Sequence, residues 1–137
     1  AEPHCWRLDM RRAAVLAGPL RWEEEGQGAR LADPAAHGDV VLARKDFPTS
    51  YHLASVWDDA LQEITHVIRG EDLRESAHLH VLLQRLLDLQ TPIYRHHRLI
   101  LDETGKRLAK RDEAATLRAL RESGKTAEDV RVMIGAG

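Results

Sequence analysis

The sequence predicts an α/β fold built on parallel strands, and three segments carry that expectation. Thr65 to Arg69 is a short apolar run, Glu75 to Leu89 is a leucine-rich helical pattern, and Tyr94 to Leu101 is a second strand-like run. A strand, a helix and a strand in that order make a crossover. Such crossovers are right-handed, so the two strands lie parallel and ligands gather outside their carboxyl ends. Arg69-Gly70 stands at one of these ends, and the basic segment Gly105 to Arg111 follows the other.

The elements follow in order from their periodicities. Trp6 to Met10 and Leu20 to Glu23 alternate apolar and polar side chains, which predicts two short strands around a helix from Met10 to Ala17, with Gly18-Pro19 as punctuation. Glycines, a proline and small residues from Gly26 to Gly38 read as a loop, and Val40 to Ala43 is an apolar run suited to a buried strand. Tyr51 to Trp57 and Thr65 to Arg69 read as successive core strands joined by the acidic connector Asp58 to Glu63. In the long helix, Leu79, Leu82, Leu83, Leu86 and Leu87 share one face with Gln84, Arg85 and Asp88 opposite, and Thr91-Pro92 ends it. Two short helical patterns, Ala114 to Glu122 and Ala127 to Ile134, are divided by Ser123-Gly124.

Composition bounds the function. The 137 residues leave room for one modest core, and 31% charged with 43% hydrophobic residues is the balance of a soluble globular chain. A net charge of −2 gives no general affinity for nucleic acid, so any RNA contact must come from local patches. Cys5 is the only cysteine, which excludes an internal disulfide or a cysteine-rich zinc site. The apolar runs are too short for a membrane span and no secretory pattern opens the chain, so a cytoplasmic location without membrane partners is expected. Ala1-Glu2-Pro3, lacking a methionine, reads as an internal start.

Chemistry concentrates in three places. After Gly105, the cations Lys106, Arg107, Lys110 and Arg111 fall within six positions, which is either a solvated surface turn or a clamp for a nucleotide polyphosphate. Arg69 closes an apolar strand, an awkward place for a cation unless a carboxylate meets its planar fork. From the residues alone, a structural ion pair and a ligand role stand level there. Glu71 and Asp72 read as an acidic pair favoured by a helix dipole. His78 and His80 are two apart on a helix and face different ways, so no metal site is assigned to the histidines. Trp6, Trp22 and Trp57 read as packing residues at strand positions.

Taken together, Tyr51-His52-Leu53-Ala54, Thr65 to Asp72 and the basic loop resemble the second half of the catalytic domain of class I glutamyl-type aminoacyl-tRNA synthetases. Order and spacing agree over most of residues 39–112. The resemblance implies a Rossmann-like nucleotide-binding domain with parallel strands and a short helical tail. Residues 1–38 are then the end of an insertion or connecting region, 39–112 the second half of the catalytic domain, and 113–137 a C-terminal helical segment. Arg107-Leu108-Ala109-Lys110-Arg111 matches the family's Lys-Met-Ser-Lys-Ser signature, often Lys-Leu-Ser-Lys-Arg in glutamyl enzymes. This implies Lys110 as the catalytic cation, with Arg107 and Arg111 beside it for ATP, the co-substrate, which comes with Mg. Ala109 departs from the pattern by lacking a serine hydroxyl. The same resemblance makes Tyr51 and Arg69 glutamate-binding residues. No zinc is expected in this segment.

A tRNA-charging glutamyl enzyme continues past the basic loop into a helical anticodon-binding region, whereas here only residues 113–137 follow. That ending resembles the truncated glutamyl-queuosine tRNA(Asp) synthetase branch, which implies glutamate, ATP and queuosine-carrying tRNA(Asp) as partners. The His-Ile-Gly-His signature of class I enzymes occurs nowhere in the sequence. The chain is therefore expected to be a C-terminal fragment, inactive without its N-terminal half. Two alternatives remain: a catalytic-domain fragment of an ordinary glutamyl-tRNA synthetase, and a non-enzymatic RNA-binding module reusing the half-fold.

Overall fold

The computed structural model describes residues 2, 4–101 and 116–135, in two compact units, Ala1–His97 and Arg98–Gly137. In the first unit, β1 (Trp6–Leu8) pairs antiparallel with β4 (Val40–Ala43) as a two-stranded ribbon. Between them in sequence come α1 (Met10–Ala17), β2 (Arg21–Glu24) and β3 (Gly28–Leu31). The remaining elements are α2 (Tyr51–Leu61), β5 (His66–Gly70), α3 (Ser76–Leu86) and β6 (Ile93–His97). The main sheet has the order β3-β2-β6-β5. Strand β6 lies parallel to both β5 and β2, and only the β2–β3 hairpin is antiparallel.

The β5–α3–β6 crossover is the expected parallel unit, and its register sets Arg69 beside His96 and Gly70 beside His97. Residues directly paired on neighbouring strands point to the same side of the pleat, so this register alone brings Arg69 and His96 together. Along β6, burial alternates: Tyr94 and His96 are buried, Arg95 and His97 exposed. The strand ends at His97, short of the Leu101 that the sequence suggested.

Helix α1 begins at Asp9, whose carboxylate accepts from the Arg12 N–H at 3.0 Å. It buries Met10, Ala13 and Ala17 into a core shared with Leu20, Trp22, Val56, Leu79, Leu82 and Tyr94. Gly18 closes it with φ +71°, a conformation that costs other residues a Cβ clash and lets the chain turn into β2.

Five readings of the sequence are corrected. Tyr51 to Trp57 is helical, not a strand, and the expected connector Asp58 to Glu63 is largely its last turn. Ser50 caps α2 by accepting from the Leu53 N–H, and Val56 is its one buried residue, so helical spacing prevails over the alternation of Tyr51, Leu53 and Trp57. The loop from Gly26 to Gly38 contains β3, because the tight turn after Glu24 folds Gly28–Leu31 back along β2. Val40–Ala43 is half-exposed and stands in the ribbon with β1 instead of a buried sheet. Gln84 is not on a solvent face: α3 is buried continuously from Leu79 to Gln84, and the Gln84 amide donates to the Tyr94 hydroxyl at 3.0 Å. Of the tryptophans, only Trp22 is core, while Trp6 and Trp57 are exposed.

In the second unit, α4 (Leu117–Glu122) is capped by Thr116 and α5 (Ala127–Met133) by a reciprocal Thr126–Asp129 box. Both are exposed short helices near the spans read from the sequence.

Helices α2 and α3 end alike. Glu63 and Asp88 adopt left-handed φ values of 53° and 55°, and the next amides, Ile64 N–H and Leu89 N–H, reach back to the carbonyls of Asp59 and Gln84. This is the glycine-favouring helix stop, occupied here by residues that carry a Cβ. Replacing exposed Glu63 by glycine should therefore stabilise the fold by about 0.5–1 kcal/mol, seen as a higher urea midpoint at unchanged slope. A lower midpoint would contradict the strain.

Candidate active site

The carboxyl ends of β5 and β6 hold a buried polar cluster centred on Arg69. The residue is 9% exposed, and its guanidinium lies 5.1 Å from the centroid of the Tyr94 ring beneath it. Its Nε donates to His96 Nε2 at 3.3 Å, and its Nη1 meets His80 Nδ1 at 3.1 Å. The third nitrogen, Nη2, is buried without a hydrogen-bond partner among the described residues.

Arginine is a donor only, so each histidine nitrogen facing it must bring a lone pair. His96 is then protonated on Nδ1, which lies 2.9 Å from both oxygens of the Glu24 carboxylate. Glu24, 1% exposed, also accepts from the His96 backbone N–H at 3.1 Å and from the Trp22 indole at 3.2 Å. Burial alone would raise the Glu24 carboxyl, yet the hydrogen bonds it accepts from His96 and Trp22 outweigh it and hold it below the usual carboxylate value. By the same logic His80 carries its proton on Nε2, which meets His52 Nδ1 at 3.0 Å.

Burial, followed by the nearby charge of Arg69, pushes the His80 imidazole down to about 3. His52 is lowered by burial and again by Arg69. Both rings are thus neutral acceptors at ordinary pH. Asp59 on α2 feels Arg69 as well, but burial dominates and raises its carboxyl.

Tyr51, 56% exposed, is the open member of the cluster. Its ring centroid lies 5.4 Å from that of His52 and 6.1 Å from that of His80. The two expected glutamate-binding residues, Tyr51 and Arg69, therefore meet around one histidine. Lys110, Arg107 and Arg111 lie outside the described residues. His78 and His80 do face apart: His78 accepts from the Asp33 N–H at 2.8 Å and sits edge-on to Trp22. Among the described residues, no group of three or more histidine, cysteine or acidic side chains is arranged to hold a metal ion.

Glu24, His52, His80 and His96 were not singled out for this site by sequence reasoning. Their available signal was positional: His96 stands two residues after buried Tyr94 on a strand, and His80 lies amid the buried run of α3.

The cluster sets the response to acid. His80 has its folded value depressed far below the ordinary 6.5, so the unfolded chain binds a proton that the folded chain refuses. Its contribution to stability is complete above pH 6.5 and is lost as pH falls towards about 3. Glu24, also depressed, acts with the same sign from its ordinary 4.5 downward. Unfolding free energies from urea titrations should fall steadily below pH 6.5, by about 1 kcal/mol per pH unit. A flat profile to pH 4.5 would contradict a buried neutral His80.

The family model described as tRNA synthetases class I (E and Q), catalytic domain, matches residues 3–134. A glutamyl-Q tRNA(Asp) synthetase from Rhodobacter capsulatus is 58% identical over 100 residues, covering 73% of this chain and 36% of that protein. One from Symbiobacterium thermophilum is 41% identical over 116 residues, covering 85% and 33%. Among solved structures, a glutamate tRNA ligase from Elizabethkingia meningosepticum in complex with its amino acid superposes with a TM-score of 0.58 at 36% identity, covering 70% of this chain and 19% of that one. The glutamate-tRNA synthetase of Elizabethkingia anophelis gives 0.59 at 34% identity, with 72% and 21% covered. The chain spans about a third of the length of the curated relatives it matches. No helix among the described residues is long and apolar enough to cross a membrane. With the match running across nearly all of its residues, this chain belongs to the class I tRNA synthetases of the glutamate and glutamine type, within their catalytic domain.

Proposed function

We propose that the protein carrying this chain activates glutamate with ATP and passes the glutamyl group to queuosine in the anticodon loop of tRNA(Asp). The observation that carries this reading is Arg69, a buried cation that shares His80 with Tyr51 and has one nitrogen lacking an acceptor among the described residues. A carboxylate is the complementary group, because it supplies both the missing acceptor and the opposite charge. The glutamyl-Q naming of the curated relatives supports the queuosine acceptor.

In the first step a glutamate carboxylate oxygen attacks the α-phosphorus of ATP, and the bond to pyrophosphate breaks. In the second, a queuosine hydroxyl attacks the activated carbonyl carbon, loses its proton and releases AMP. Charge on the phosphate grows in the first step, and Lys110 is the residue proposed to stabilise it, flanked by Arg107 and Arg111. A bound Mg ion would shield the departing pyrophosphate. The domain assignment follows the same reading, with residues 39–112 as the second half of the nucleotide fold.

The matched solved structures favour a second reading, an ordinary glutamyl-tRNA synthetase. The intact protein should be offered labelled glutamate with queuosine-containing tRNA(Asp), the same tRNA lacking queuosine, and tRNA(Glu). Label should enter only the first. Entry into tRNA(Glu) would establish the second reading, and absence of any glutamate-dependent pyrophosphate exchange would leave an RNA-binding module. Arg69→Gln should raise the KM for glutamate about 10- to 100-fold, the scale of one charge-assisted hydrogen bond. Lys110→Ala should slow exchange about 100-fold at saturating glutamate.

A further inference from the structure

We infer that His80 and His96 are positioning residues for Arg69, engaging two of its three nitrogens so that Nη2 is the one presented to a substrate carboxylate. The inference rests on the reading above that Arg69 receives glutamate. It adds a reason for the direction in which Arg69 can act.

A free guanidinium can grip a carboxylate along more than one edge. Here the edge containing Nε is engaged, since Nε donates to His96 Nε2 at 3.3 Å and His96 is anchored in turn by the buried Glu24. Nη1 is held at 3.1 Å by His80, whose own proton is directed at His52, 3.0 Å away on α2. The Tyr94 ring underlies the guanidinium plane at 5.1 Å. What remains is Nη2, shielded from water and, among the described residues, the one buried side-chain donor without an acceptor. A donor sealed in this way is costly until an acceptor arrives. Access to it requires a side chain of the cluster to give way, and Tyr51, packed against both His52 and His80, is the exposed one.

Only an acceptor at the position of His80 Nδ1 serves this purpose, and that requirement separates positioning from packing. His80→Asn keeps an acceptor oxygen near Nδ1, whereas His80→Leu keeps volume and removes the lone pair. In the intact enzyme, His80→Leu should raise the glutamate KM at least tenfold in pyrophosphate exchange, with the ATP KM and the rate at saturating glutamate within about threefold. His80→Asn should recover most of the loss. Equal glutamate KM values for wild type and His80→Leu would overturn the inference, as would equal losses in both variants. Arg69→Gln serves as the control: if it too leaves the glutamate KM unchanged, the glutamate-binding reading itself fails. Should His80→Leu not fold, nitrogen NMR of the wild-type imidazoles decides. The expected pattern at pH 7 is a proton on Nε2 of His80 and on Nδ1 of His96, and the opposite tautomer or a doubly protonated ring at His80 would refute the arrangement.

Discussion

An arginine can only donate, and the interior around Arg69 is organised by that constraint. Every group it hydrogen-bonds must offer a lone pair, which sets the tautomers of His80 and His96 and, through them, the orientation of His52 and the ionisation of Glu24. Five elements meet at one charge: β2 brings Glu24, α2 brings His52, β5 brings Arg69, α3 brings His80 and β6 brings His96. A core assembled from apolar contacts alone would tolerate small shifts among these elements. A hydrogen-bonded chain with defined donors and acceptors tolerates far less, because each broken link leaves a buried polar atom unpaired.

The parallel crossover makes the arrangement possible. Pairing Arg69 with His96 across adjacent strands puts two side chains on one face without any loop, and the short 3-10 turn Glu71–Leu73 then swings the chain into α3 so that His80 returns over them. Glu24 enters from the neighbouring strand, where its register partner is Tyr94. The buried negative charge of Glu24 and the positive charge of Arg69 do not touch. An imidazole lies between them and transmits the interaction by hydrogen bonds, which spares Arg69 a direct carboxylate partner and leaves its charge available. A buried arginine already neutralised by its own glutamate would attract an anionic ligand far less.

Much of this was legible in the sequence. The strand–helix–strand order of residues 65–97 and the helix from Met10 to Ala17 follow from periodicity, and the matched motifs pick out Tyr51 and Arg69, which the structure sets on either side of His80. The misreading of Tyr51 to Trp57 has a plain origin. In Tyr51-His52-Leu53-Ala54-Ser55-Val56-Trp57 the large apolar side chains satisfy a period of two nearly as well as a helical one, and the cap at Ser50 decides between them. Gln84 misled for a related reason: a polar residue among leucines looks solvent-facing unless its partner is known, and the Tyr94 hydroxyl is ten positions away. The network around Arg69 is harder still. Glu24 and His96 are 72 residues apart, and no local pattern announces that a strand glutamate and a strand histidine will share a proton-donating contact.

The two neutral histidines also bear on what charge the site accepts. Protonating His80 would place a second cation 3.1 Å from Arg69 and remove the lone pair that Nη1 uses, so burial and repulsion act together to keep the ring uncharged. Arg69 is therefore the charged donor among neutral rings, while half-buried Arg74 stands 3.8 Å from the Glu24 carboxylate. A neutral amide could satisfy Nη2 through its carbonyl oxygen, but it would leave the Arg69 charge uncompensated in a weakly screened interior. A carboxylate satisfies the donor and the charge at once, and charge-assisted hydrogen bonds are roughly twice as strong as neutral ones. On the proposed glutamate-binding reading, a buried arginine flanked by neutral acceptors would favour an acid over its amide on electrostatic grounds.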